Sequence, residues 1–320
     1  MKFSITIPTY KATFLAEAIE SCLAQTYSDF ELIIVDDASP ENISEIVHQY
    51  KDPRIRYYRN EQNYGAINVV DNWNKCLSYA TGEYVICMGD DDRLKPKCLQ
   101  IYKTLIEKHP HLDVYHGWTE IINEKSEIYD IQEPRPLYES VYSLIWNRWT
   151  CRKYQFIGDF LFRTDTLKKA GGFYKLPLAW GSDDISAVIL ATHGGIANSQ
   201  EPCFEYRTHP QTISSNDDME IKIEAIVKER EWYKNFITNQ TIPQEKTDNL
   251  YYKLIKEGLN THFDKKNRPL HRTCHEENIF SFPIFNMEKK EKIHPKKFCI
   301  QICDIGIFEN SKKIISSPTL

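Results

Sequence analysis

Over the first hundred residues the apolar positions change period in a regular order. Phe3, Ile5 and Ile7 alternate with polar neighbours and stop at Pro8, which predicts a strand opening into a loop at Pro8-Thr9-Tyr10. Leu15, Ala18, Ile19, Cys22 and Leu23 then recur at helical spacing, and Gln25 to Ser28 close that element. Leu32-Ile33-Ile34-Val35 is an unbroken apolar run of strand length, as expected of a strand covered on both faces. Ser39 is placed to cap a helix over Ile43, Ile46 and Val47. The cycle repeats with a strand at 55–58, a helix over 67–80 that turns Val70, Trp73 and Leu77 inward, and a buried strand at 84–88. This alternation predicts an α/β fold with a Rossmann-like, doubly wound, mostly parallel sheet flanked by helices, whose ligands sit beyond the carboxyl ends of the strands. The polar loops at Thr9, Asp37 and Asp91 all fall at such ends.

Past residue 110 the alternation weakens. A strand at 114–118, an aromatic-rich helix over 141–149, a helix over 185–192 and a strand at 203–207 can be read, with turns at Pro134-Arg135-Pro136 and Gly171-Gly172. From Met219 the chain becomes charged and amphipathic over 221–236 and 250–259, which predicts a helical C-terminal appendix, followed by a Lys-rich segment over 289–297. The expected division is a first half of the main domain over 1–110, a second half over 111–217 and an extension over 218–320.

Composition narrows the function classes. The 320 residues carry 45 acidic and 40 basic side chains, so a broad basic footprint for a nucleic acid is excluded. No run of about 20 apolar residues suits a bilayer span, and the apolar start at Phe3 is too short for a signal peptide. Nine cysteines without a C-x-x-C pair fit reduced thiols and a cytoplasmic setting. The absence of G-x-G-x-x-G and of G-x-x-x-x-G-K-[ST] disfavours dinucleotide oxidoreductases and P-loop enzymes.

Candidate chemistry lies in the strand-end loops. Asp90-Asp91-Asp92 puts three carboxylates together after a buried strand; their repulsion suits either a solvated acidic turn or a site for a hard divalent cation, Mn²⁺ or Mg²⁺. Asp36-Asp37 ends an earlier strand, where a carboxylate can accept from a base N–H or a ribose hydroxyl, or can serve the following helix. Gly181-Ser182-Asp183-Asp184 precedes a helix and offers carboxylates for general-base work or simple capping. Trp180 beside it can stack on a sugar face or fill a core. His271, Cys274 and His275 lack the second ligand pair of a zinc site.

Ser4 to Tyr10, Ala24-Gln25-Thr26-Tyr27, Phe30 to Ser39, and Gly82-Glu83-Tyr84-Val85 leading to Asp90-Asp91-Asp92 and Pro96 occur in an order that resembles family 2 glycosyltransferases of the GT-A fold. The resemblance covers roughly residues 1–215. It implies an inverting transferase that moves a sugar from a nucleotide-diphosphate donor, a UDP-sugar favoured, to a glycan or lipid-linked acceptor, as in bacterial surface polysaccharide synthesis. Pro8, Thr9 and Tyr10 match the loop lining the nucleotide pocket, and Asp37 matches the carboxylate that reads the base. Asp90, Asp91 and Asp92 match the metal-binding D-x-D region; Asp91 ranks first, because the commoner register would put the first aspartate at Gly89. His209 resembles a late histidine that contacts the metal or diphosphate, and Asp184, with Asp183 in reserve, matches the general base. Trp73 stands where many members have Arg. Peripheral membrane contact through the Lys-rich segment is a further expectation. Two competing expectations are a sugar-phosphate nucleotidyltransferase, which lacks its Gly-rich, Arg-containing loop here, and a nucleotide-sugar or glycan binding module without catalysis.

Overall fold

The computed structural model describes residues 1–150, 154–209 and 218–279, with side chains as far as Asn267. In chain order its elements are β1 (Phe3–Thr9), α1 (Leu15–Leu23), β2 (Phe30–Asp36), α2 (Ile43–Val47), β3 (Ile55–Arg59), α3 (Val69–Tyr79), β4 (Tyr84–Cys87), β5 (Arg93–Leu94) and α4 (Cys98–Lys108). They continue with β6 (Val114–Ile122), β7 (Ile128–Ile131), β8 (Tyr138–Glu139), α5 (Val141–Trp149), β9 (Phe160–Arg163), α6 (Thr164–Lys169), α7 (Ser182–Ala191), β10 (Ile196–Arg207), α8 (Met219–Asn239) and α9 (Lys246–Ile279). Met1–Leu270 is one compact unit; of the second, His271–Leu320, only the end of α9 is described. The side chains of His271, Cys274 and His275 and the Lys-rich segment over 289–297 lie outside the described residues.

A single sheet runs in the order β3-β2-β1-β4-β9-β6-β10-β5, with β7 beside β6 and β8 beside β10. Its first four strands are parallel. Thr9 stands opposite Asp36 and Asp36 opposite Arg59, so the loops that follow β1 and β2 leave the sheet side by side. β4 is level with β1 only as far as Cys87 against Thr6, so its acidic loop rises across the ends of the other two. β9 then enters antiparallel between β4 and β6, while β6 and β10 pair in parallel. The second half is therefore mixed, and its short connections lack the strand–helix–strand rhythm that makes the first half readable.

Side chains alternate between two cores, one on each face of the sheet. Phe3, Ile5 and Ile7 of β1, Leu32 and Ile34 of β2 and Ile86 of β4 pack with Leu15, Ile19 and Leu99. Ile33, Val35, Val85 and Cys87 point the other way, towards Trp73, Ile145 and Ile185. That second core also receives Ile226, Tyr233 and Ile237 from α8 and Tyr252, Ile255 and Phe263 from α9. Trp149 is central there, with its ring 5.1 Å from Tyr233 and stacked 4.8 Å from His262. α8 and α9 as far as Phe263 are thus fastened by burial of large aromatic surfaces. Cys22, Cys76, Cys87, Cys98 and Cys203 are buried free thiols, and among the described residues no helix is long and apolar enough to cross a membrane.

Two residues of the recurring sequence pattern serve structure at the far end of the strands. Glu31 is buried in β2 and accepts from Ser4 Oγ at 2.7 Å, Thr81 N at 2.7 Å and Arg56 Nη1 at 2.8 Å. Burial alone would raise its carboxyl, but these bonds outweigh it and hold the group at about 2. Gly82 donates to Ser4 Oγ at 2.9 Å and runs so close to β1 that a Cβ would lie 2.7 Å from the Phe3 carbonyl carbon. Ser39 does not cap α2: its hydroxyl donates to the Tyr10 carbonyl at 2.6 Å, and Asn42 precedes the helix instead. Because the clash at position 82 is with backbone, Gly82→Ala is expected to lower stability by about 1–3 kcal/mol in urea melts. A wild-type midpoint in the variant would refute this account of the glycine.

Candidate active site

The three acidic loops converge on one cavity of about 760 Å³. Pro8, Thr9, Tyr10 and Lys11 line one wall with Asp37, Asn63 and Gly65; Gly89 to Asp92 form the floor; Arg148, Trp180, Asp183, Asp184 and Lys266 line the opposite side. Residues 37, 91 and 184 are distant in sequence, and the parallel register described above is what brings the first two together.

At one end, Asp37 is buried and accepts from Asn60 Nδ2 at 2.9 Å and from the backbone N–H groups of Tyr64 at 3.1 Å and Gly65 at 3.4 Å. Asn60 also donates to Asn72 Oδ1 at 2.9 Å, so one carboxylate fixes the 60–65 loop against α3. Trp73, next in that helix, borders the cavity and meets Phe173 edge-on at 5.8 Å. Asn74 holds the Gly172-Phe173 turn through two bonds to the Phe173 backbone, at 2.8 and 3.0 Å.

On the floor, Asp92 is buried in protein, while Asp90 and Asp91 are half-buried at the cavity. Asp90 Oδ2 accepts from Thr9 Oγ1 at 3.0 Å, Tyr10 N at 2.8 Å and Lys11 N at 2.9 Å. Burial and the neighbouring Asp91 nevertheless push its carboxyl up to about 6. Asp92 is buried, accepts from Arg207 N at 2.9 Å and is raised well above the usual range by the same two causes. Asp91 keeps about a quarter of its side chain exposed and pairs with His209 Nε2 at 2.8 Å. A Cβ on Gly89 would stand 2.5 Å from Asp91 Oδ1 and 3.0 Å from Asp92 Oδ2, so a side chain at that position would collide with two carboxylates. The glycine that displaces the D-x-D register leaves room for these two carboxylates as they stand.

Among the described residues, no three His, Cys, Asp or Glu side chains form a ready cage for an ion. The donors present still fit a hard cation: Asp91 supplies a carboxylate, His209 an imidazole nitrogen, and the neighbouring Asp90 and Asp92 are raised by burial and by the charge of Asp91. Such an ion takes its remaining ligands from phosphate oxygens and water.

At the other end, Gly181 opens α7 in the left-handed region at φ +91°, and no side chain caps the helix. Leu178 and Ala179, just upstream, also have positive φ, of 56° and 54°, a costly backbone for residues with a Cβ and one that gathers at functional sites. The Ser182 hydroxyl is taken by Leu176 N at 3.0 Å, so this Ser serves the preceding turn. Asp184 is buried and gripped by Arg148 Nε at 2.9 and 3.1 Å and by Gln155 Nε2. Burial would raise its carboxyl, but Arg148, Lys266 and these hydrogen bonds together hold it below the ordinary range. Asp183 behaves oppositely: burial and the charge of Asp184 push it up to about 8. Arg148, Gln155 and Lys266 were not foreseen. Each belongs to no recognisable motif, and only folding brings them to the cavity.

Residues 4–173 match the family described as Glycosyl transferase family 2. The chain is 31% identical over 219 residues to the putative colanic acid biosynthesis glycosyl transferase WcaA of Escherichia coli, covering 62% of this chain and 76% of that protein. It is 26% identical to WfgD of Escherichia coli, a UDP-Glc:alpha-D-GlcNAc-diphosphoundecaprenol beta-1,3-glucosyltransferase, over 82% of this chain and 96% of the relative. Against the putative glycosyltransferase EpsE of Bacillus subtilis the identity is 39%, but the match spans only about a third of that protein (36%). In fold it is similar to S. aureus TarS 1-349 crystallised with UDP-GlcNAc, with a TM-score of 0.61, 21% identity, and coverage of 82% of this chain and 73% of that one.

The raised carboxyl makes a prediction about stability. Asp183 titrates near 3.8 when unfolded and about 8 when folded, so folding takes up a proton there. Its contribution is complete below about pH 4 and lost as pH rises through about 8. Thermal melts of the wild type and Asp183→Asn should diverge in the variant's favour from pH 5 to pH 8 and run parallel above. A difference independent of pH would contradict the assignment.

Proposed function

The chain belongs to glycosyl transferase family 2, and on that premise we propose that it is an inverting, metal-dependent enzyme taking a sugar from a nucleoside-diphosphate donor, a UDP-sugar, to a glycan or lipid-linked acceptor in bacterial polysaccharide synthesis. The observation that carries this reading is the single cavity with a cation-suited carboxylate, Asp91, on its floor and a high-pKa carboxylate, Asp183, on its far side. The relatives' names support the substrate classes: UDP-glucose with a diphosphoundecaprenol-linked acceptor for WfgD, and UDP-GlcNAc bound to TarS. In this reading residues 1–110 serve the donor, 111–217 the acceptor, and Lys266 of α9 reaches the acceptor end from the extension. A lipid-linked acceptor would set the enzyme at the cytoplasmic face of a membrane as a peripheral protein.

The nucleotide would lie between Pro8-Thr9-Tyr10 and the Asp37-anchored loop. Tyr10, 40% exposed at the rim, offers its ring to the base. Asp91 and His209 would hold Mn²⁺ or Mg²⁺, whose chemistry when bound is to neutralise the leaving diphosphate. Asp90 and Asp92 keep the loop that carries Asp91 rigid. Trp73 and Trp180, both at the cavity wall, offer apolar faces for sugar rings.

For the base, Asp183 is preferred to Asp184, reversing the order expected from the sequence. Support comes from proton affinity and access. A carboxylate locked to a guanidinium and held below its normal range is a poor proton acceptor, whereas one tuned to about 8 can take the proton of a hydroxyl as it attacks. Asp184 instead anchors Arg148 and keeps the Asp183 side of α7 in place.

Donor turnover is best measured across a panel of nucleotide sugars with Mn²⁺, followed by nucleotide release. Asp183→Asn should lower turnover by about 10²–10⁴-fold with nucleotide affinity nearly intact. EDTA should abolish turnover, and Mn²⁺ should restore it. Full activity in chelator would overturn the metal role, and an Asp183→Asn enzyme of normal rate would overturn the base.

A further inference from the structure

The C-terminal helices reach the acceptor end of the cavity with two opposite charges that no motif marks. Lys266 of α9 donates to Glu229 Oε2 of α8 at 2.6 Å, and the Glu229 side chain is 2% exposed. A Cβ on Gly181 would stand 2.8 Å from Glu229 Cδ and about 3 Å from both its oxygens (3.0 and 3.1 Å). The Glu229 carboxylate therefore lies against the first residue before α7, the helix that carries Asp183 and Asp184. A carboxylate there is favoured by the positive end of the helix but repels the acids of its first turn. Lys266 offsets that repulsion, borders the cavity and acts directly on Asp184.

The charged groups around this point can be counted from every element that meets it. Arg148 comes from α5, Glu229 and Tyr233 from α8, Lys266 and His262 from α9, and Gln155 and Asp159 from the segment before β9. Tyr233 is raised well above its usual value, and His262 is lowered to about 3, both through burial, so both are neutral near pH 7. Asp159 is more distant; burial lowers His116, 3.3 Å from it, so that ring is neutral near pH 7, and the cation that acts on Asp159 is the buried Arg135, which also lies 3.8 Å from Glu139. With the Lys222 ammonium, 4.8 Å from the Trp180 ring centre, four cations (Arg148, Lys266, Arg135 and Lys222) face five acids (Asp183, Asp184, Glu229, Asp159 and Glu139). Arg148 bonds to Asp184 and Lys266 to Glu229, so the cluster is neutral only when one further proton is held, and Asp183 is the acid left to hold it.

We propose that Lys266 and Glu229 are positioning residues for the acceptor-activating carboxylates, which makes α8 and α9 part of the catalytic apparatus. The proposal rests on the reading of Asp183 as the base. The Lys266–Glu229 pair sets the charge against which the Asp183–Asp184 pair gains and loses its proton, and it fixes the start of α7 through the space that Gly181 leaves open.

The test is a pH titration of the full chain labelled with ¹³Cγ-aspartate, with Asp183→Asn and Asp184→Asn identifying the two signals. In Lys266→Met the titration of the pair should move up by about one to two pH units. In Glu229→Gln it should move down, and in Lys266→Arg it should stay at the wild-type position. Should Lys266→Met fail to fold, Glu229→Gln and Lys266→Arg still decide the matter. Wild-type titration in both charge-removing variants would overturn the proposal, as would a shift of the same sign in both. Donor turnover by Asp183→Asn is read separately, so failure of the base assignment is distinguishable from failure of the positioning role.

Discussion

Arg207 is the point on which the site hangs. It ends β10 with its side chain fully buried. Its backbone N–H goes to Asp92, and its guanidinium donates to the Asp91 carbonyl at 2.7 Å, the Asn123 carbonyl at 3.0 Å, Ser126 Oγ at 2.9 Å and Glu17 at 2.9 Å, and packs over the Phe14 ring. One cation thereby ties the loop after β4 to the hairpin of β6 and β7, to α1 and to β10. A buried guanidinium is tolerable only when most of its donors are used, and these are. Two residues later His209 reaches Asp91, so the strand that closes the second half of the sheet also delivers the partner of the cavity-facing carboxylate.

The arrangement resolves a conflict of charge. A protein with more acids than bases gathers carboxylates at the place where the proposed function puts an anionic donor. Asp90 and Asp92 bear the cost in raised proton affinity, and Asp91 and the half-buried Asp90 border the cavity. At the other end of the cavity the same physics runs in both directions within one helix turn: a bound guanidinium holds Asp184 down, while burial and the charge of Asp184 push Asp183 up despite the backbone hydrogen bond it accepts from Asp184 N at 2.9 Å. Two adjacent carboxylates with divergent proton affinities can divide the roles of anchor and base.

Much of this was legible in the sequence, for definable reasons. Period-two and period-3.6 patterns located β1, α1, β2, α3 and β4 because each is a regular element with a large buried face. Helix 141–149 was placed at the observed limits, Val141–Trp149. The strand at 203–207 was only the end of β10, since Asn198 to Pro202 is a polar, irregular stretch where the pairing with β6 shifts register. β9 lies in a four-residue run, too short to carry a period. The acidic loops were visible as motifs, but not which carboxylate faces solvent. That depends on Arg207 and on backbone donors at Tyr10 and Lys11, which have no side-chain signature. Likewise nothing in the order Asp183-Asp184 reveals that Arg148 pairs with the second. Glu229 and Lys266 read as ordinary charges on amphipathic helices until α8 and α9 are folded onto the core.

The central claim is that one cavity holds the donor's diphosphate at Asp91 and its reacting carbon towards Asp183. The most direct measurement is a crystal structure with Mn²⁺ and a non-hydrolysable UDP-sugar, with the metal located by its anomalous scattering. The account predicts the anomalous peak bonded to Asp91, the uracil beside the Asp37-anchored loop, and the anomeric carbon open to Asp183 on the face opposite the diphosphate. A metal bound away from the Asp90-Asp91-Asp92 loop, or a sugar whose anomeric carbon faces away from Asp183, would contradict it.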